Sequence, residues 1–148
     1  MEHSNNIDMM TLSWTVPEIR ESLQHVAQAL DELLASPHSQ DAIKRARLHL
    51  HQTHGALQVA DLPGVTMLTD EAEQVMMAFE AGTVHPDAQN IATLKQVLRA
   101  VVEYLEDMQA SGVMVPALVL YPYYRDLVGG RKLSLIHISE PTRQAEIS

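Results

Sequence analysis

The sequence predicts an all-α fold, an antiparallel up-down four-helix bundle followed by a short fifth helix. Three observations predict it. Apolar residues make up 46% of the 148 residues but aromatics only 4%. The core must therefore be built mainly from Ala, Leu, Val and Met, a bias toward helix because unbranched side chains lose little rotamer freedom there. Four separate stretches carry apolar residues at alternating spacings of three and four, the mark of one buried stripe per helix. The breaks between them are short, and no stretch alternates apolar and polar residues convincingly over a strand's length. Narrow stripes of this kind bury best against one another.

The elements follow in order. Residues 1–13 are polar and irregular and read as a flexible leader. Thr15-Val16-Pro17-Glu18 reads as a capping box with proline in the first turn, opening a helix from about residue 16 to 35. Its stripe is Val16, Ile19, Leu23, Val26, Leu30 and Leu33. Ser36-Pro37-His38-Ser39 breaks the chain and caps a second helix reaching about Ala60. That stripe is Ile43, Ala46, Leu50, Thr53, Leu57 and Ala60. Asp61-Leu62-Pro63-Gly64 is a turn. A third helix carries Val65, Leu68, Ala72, Val75 and Phe79, and Gly82 stops it. His85-Pro86-Asp87 opens a fourth, with Ile91, Leu94, Leu98, Val101, Leu105 and Met108, and Ser111-Gly112 ends it. A fifth helix is expected from Pro116 to about Val128. The bundle thus spans 14–130, and 131–148 is a non-native or disordered tail.

The end of that tail, from Leu133 to Ser148, resembles the translation of a transposase-type sequencing adaptor running into a sample index. It is excluded from the fold reasoning, His137 and Glu140 receive no functional weight, and the native chain is expected to continue past Lys132. The formal net charge is −9, which repels phosphate backbones and argues against nucleic acid as partner. There is no cysteine, so disulfides and thiolate metal sites are excluded. No apolar stretch is long enough to span a bilayer, and the opening residues lack the pattern of a signal peptide. A cytoplasmic location is expected.

The chemistry concentrates in His49-Leu50-His51-Gln52-Thr53-His54-Gly55-Ala56-Leu57. With Leu50 and Leu57 facing the core, His51 lies about 100° round the helix, on the flank of the stripe. Arg47, Leu48, His54 and Gly55 are its neighbours one turn away, with Lys44 and Gln58 two turns off. His51 thus sits in a polar, basic strip. Gly55 is anomalous, since glycine inside a helix costs about 1 kcal/mol relative to alanine. Either another helix packs closely there, or a partner needs access beside His51. An exposed histidine on a rigid helix suits phosphoryl transfer, because an imidazole near neutral pH keeps a free nucleophilic nitrogen and the transfer depends mainly on positioning and charge neutralisation.

These residues also carry a family resemblance. His51-Gln-Thr-His54-Gly55 resembles the histidine-phosphotransfer (Hpt) motif, His-x-x-Lys-Gly, on the second helix of a phosphotransfer bundle. The run from Leu48 to Glu73 is similar to the amino-terminal Hpt-like domains of large CheA-type hybrid kinases, including the ChpA kind that control type IV pilus twitching motility. The resemblance implies His51 as phosphoacceptor, His54 as support for the phosphoryl group, and Gly55 as clearance for a partner. The implied partners are a histidine kinase core and a response-regulator receiver domain, whose aspartate takes the phosphoryl group with the receiver's own magnesium. The module itself needs no cofactor and has no kinase core. The sequence departs from the motif at His54, where the family usually has Lys. A mostly neutral imidazole screens a phosphoryl group less well than a fixed ammonium, so an active module and a non-catalytic docking bundle both stay open.

Other candidates carry less. His49 and His51 are about 200° apart and cannot share an ion. His51 and His54 form at most half a metal site, with His25 of undecided direction, and no metal is expected. Lys44, Arg45 and Arg47 read as a solvated basic face. Asp70, Glu71, Glu73 and Glu80 read as a polar helix face, not as paired acid-base carboxylates.

Overall fold

The computed structural model describes residues 9–131. Residues 1–8 of the expected leader and the tail 132–148 lie outside the described residues. Four helices follow one another up and down: α1 (Met9–Ala35), α2 (Gln40–Val59), α3 (Pro63–Ala81) and α4 (Ala88–Ser111). A 3-10 turn, Ala117–Leu120, leads into a last helical segment, α5, over 121–131. No strand occurs among the described residues.

The expected stripes form the core. Leu30, Leu33, Ile43, Leu50, Leu57, Leu68, Ile91, Leu94 and Leu105 are all fully buried. α1 packs on α2 and α4, and α2 on α3. α3 touches α4 only lightly, and the 3-10 turn lies against α3. The helix ends are set by local chemistry. The Ser39 hydroxyl accepts from the Ala42 N–H at 3.2 Å, and the Asp87 carboxylate accepts from the Asn90 N–H at 2.8 Å. Gly82 and Gly112 close α3 and α4 at φ 78° and 73°, a left-handed conformation that favours glycine.

The start of α1 differs from the expectation. It begins at Met9, so residues 9–13 are helix and not leader, and Pro17 lies inside it. Thr15 is no cap, because its hydroxyl donates back to the Thr11 carbonyl at 2.5 Å. An interior proline costs about 3 kcal/mol. Burying Leu12, which continues the stripe one turn upstream, returns about 1.5–3 kcal/mol, and Val16 is buried with it.

The C-terminal end differs too. Arg131 is not tail. It donates to the Glu71 carboxylate from Nε at 2.8 Å and from Nη2 at 2.7 Å, and so ties α5 to α3. Leu120 and Leu127 are buried beneath this segment. Tyr104 donates its hydroxyl to the Val115 carbonyl at 2.5 Å, and burial pushes its pKa up, keeping the group a donor. Gly64 permits the approach, since a Cβ there would sit 2.2 Å from the Ala117 Cβ. Gly64→Ala is therefore expected to displace the 117–131 segment and cost about 1–3 kcal/mol. Adding Ala117→Gly should recover most of the loss in thermal melts.

Candidate functional site

The site is built on the seam between α2 and α3. Leu50, Thr53 and Leu57 are buried, which fixes the rotation of α2 and puts His51 at the edge of the interface. Its side chain is 77% exposed, with Nδ1 3.5 Å from Oε2 of Glu73, itself 20% exposed. That distance exceeds an ordinary hydrogen bond, but a carboxylate this close favours a proton on Nδ1 and leaves Nε2 as the free lone pair. The other oxygen of Glu73, Oε1, is buried and has no hydrogen-bond partner, so the carboxylate is partly desolvated and its field at the ring is less screened.

Glu73 is the site residue that sequence reasoning missed, having been read as part of a polar helix face. Its signal was present. Antiparallel helices joined by a tight turn pair residues at equal distance from that turn, and His51 and Glu73 each lie eleven positions from Leu62. Elsewhere along the same seam Glu80 lies against Arg47, at 2.7 Å, and Thr69 against His54, with Oγ1 3.3 Å from Nδ1. Glu71 is not on a polar face either, being buried and held by Arg131.

The basic strip is correspondingly less basic than expected. Arg47 is matched by Glu80. Arg45 pairs with Asp41 at 2.9 Å and with Glu32 of α1 at 2.7 Å, and this holds the Glu32 carboxyl below its usual pKa. Leu48 and Val59 on α2, and Met67 and Met77 on α3, are exposed apolar side chains.

One of the two readings of Gly55, close packing by another helix, is not met. Nothing lies within 4 Å of where its Cβ would be, so no helix of the bundle packs there. His49 is separate from His51: its ring stacks on His25 of α1, with centroids 4.6 Å apart and planes 17° from parallel. His25 is thereby placed on the α1 side and not beside His51 and His54. Among the described residues no group of three or more His, Cys, Asp or Glu side chains is placed to hold a metal ion.

Comparison with known proteins agrees with the fold. The chain is 26% identical over 110 residues to the scaffold protein FimL of Pseudomonas aeruginosa, covering 74% of this chain but only 20% of that protein. The chain thus spans about a fifth of that curated relative's length. The fold resembles the phosphorylated P1 domain of CheA3 from R. sphaeroides, solved in complex with CheY6. That match has a TM-score of 0.75 and 15% identity, and covers 85% of this chain and 98% of the solved one. The sequence profile of the Hpt domain matches residues 11–109, most of the four-helix bundle; the chain belongs to the Hpt domain family.

Proposed function

We propose that this domain is a phosphotransfer module that accepts a phosphoryl group on His51 and passes it to a receiver-domain aspartate. The observation that carries the reading is His51 itself, exposed on a rigid helix with Glu73 behind its Nδ1 and bare backbone at Gly55 one turn on. The Nε2 lone pair attacks phosphorus, and the bond from phosphorus to the donor oxygen breaks. The Nδ1 proton stays toward Glu73, whose carboxylate balances the positive charge spreading over the ring. Transfer onward reverses these roles, with the aspartate oxygen as nucleophile and His51 as leaving group. Any magnesium belongs to the receiver.

Leu48, Val59 and Met77 supply the apolar contacts, and Gly55 the clearance, on which a receiver docks. The structural relative captured with CheY6 supports that partner class. The parent is read, by resemblance, as a CheA/ChpA-type kinase of a pilus-linked, chemotaxis-like system in the cytoplasm. Among the described residues no helix is long and apolar enough to cross a membrane.

Two expected results probe the assignment. Glu73→Gln removes the charge that orients the ring and should slow phosphorylation of His51 by about tenfold, the effect of about 1.4 kcal/mol less transition-state stabilisation through one long contact. Gly55→Ala should stabilise the bundle by about 1 kcal/mol, raising its melting temperature, yet slow exchange with a receiver.

A second reading is a docking domain that accepts no phosphate. His54 in place of the usual Lys favours it, as does a relative named a scaffold protein. Incubation of residues 1–132 with a phosphorylated receiver or a matching kinase decides. Acid-labile phosphate on the domain supports transfer. A folded domain that stays unlabelled, while the donor works on another Hpt domain, supports docking alone.

A further inference from the structure

We infer that His54 is a proton-linked support for the phosphoryl group on His51, held in the required tautomer by Thr69. The inference rests on the phosphotransfer reading and concerns the residue at which this chain departs from the family's lysine.

The argument starts from one hydroxyl proton. Thr69 is buried, and its Oγ1 donates to the Thr66 carbonyl at 2.9 Å. A hydroxyl has a single proton and two lone pairs, so toward His54, 3.3 Å away, it acts as acceptor. The His54 nitrogen facing it, Nδ1, must then carry the hydrogen. The other nitrogen, Nε2, diverges from Nδ1 around the ring, and in the neutral imidazole it presents a lone pair.

A lone pair repels phosphoryl oxygens, so neutral His54 does not do the work of a lysine. A proton on Nε2 reverses this, because the ring becomes a cation that donates outward while Nδ1–H stays on Thr69. His54 is one turn from His51, at a spacing that brings Cβ atoms within about 5–6 Å. A phosphoryl group on His51 brings about two negative charges and draws that proton in. By linkage, proton uptake favours the phosphorylated state to the same extent. The surroundings supply little charge otherwise, the exposed Lys44 being two turns from His51. On α2 the neighbours are His51 itself and Arg47, which Glu80 occupies. On α3 they are Glu73, facing His51, and Asp70 at the exposed edge. Neither carboxylate neutralises a phosphoryl group.

The test compares wild type with His54→Lys and His54→Gln at equilibrium with a phosphorylated receiver, from about pH 6 to pH 8, the span in which an imidazole changes charge. Taking the ratio to His54→Lys cancels the titration of the receiver and of His51. The expected wild-type ratio is near one at the acid end and falls by about tenfold at the alkaline end, while the ratio for His54→Gln stays low and flat. A flat wild-type ratio, with His51 labelled in all three proteins, overturns this inference and leaves phosphotransfer standing. Absence of labelling in all three removes both.

Nitrogen NMR of the unphosphorylated domain gives an independent reading. His54 should be the Nδ1–H tautomer in wild type and in Thr69→Ser, and should lose that preference in Thr69→Val. An Nε2–H ring in wild type overturns the inference whatever the labelling shows.

Discussion

His51→Gln is expected to abolish acid-labile phosphorylation of the domain while leaving its fold intact. The side chain is 77% exposed and contributes one long contact to Glu73, so the stability change should stay within about 0.5 kcal/mol. Glutamine keeps much of the bulk and can still reach the Glu73 carboxylate, but its amide nitrogen has no lone pair available for attack. Loss of function with an unchanged melting curve is thus the expected pair of results. Labelling that persists in the variant would move the acceptor elsewhere. His54, one turn along the same helix, is the next residue to test, through His54→Gln.

Leu50→Ala is expected to give the opposite pair. Leu50 is 0% exposed while Leu48, two residues away, is 55% exposed. Truncating a fully buried leucine removes its transfer free energy and leaves a cavity, at a cost of about 2–5 kcal/mol. Leu48→Ala should change stability by less than about 0.5 kcal/mol. Denaturant unfolding measures both. The folded fraction of Leu50→Ala should still accept phosphate on His51, because the reacting side chain points about 100° round the helix from Leu50, out of the core. Equal costs at Leu48 and Leu50 would mean that α2 is rotated from the orientation described, and the pairing of His51 with Glu73 would fall with it.

Much of this was legible in the sequence because it depends on local rules. The stripes fixed which face of each helix is buried, and caps at Ser39, Asp87, Gly82 and Gly112 fixed most of the ends. The failures occur where a distant contact outweighs a local preference. Pro17 reads as a first turn, but burial of Leu12 and Val16 carries α1 back to Met9. Arg131 follows two glycines and reads as tail, but the buried carboxylate of Glu71 holds it. The acidic positions of α3 look alike in sequence, and Glu71, Glu73 and Glu80 have three different partners.

By itself the sequence determined the helical class, the four-stripe core, the flank position of His51 and the absence of lysine at position 54. Periodicity and capping act over a few residues and need no knowledge of what packs against what. Only the tertiary structure decided what stands behind each histidine: Glu73 behind His51, Thr69 behind His54, His25 against His49, and nothing over Gly55. Those partners lie on other helices, and the angle and offset at which two helices meet set them. That register is the sum of many side-chain contacts along the seam, and no single helix's sequence contains it.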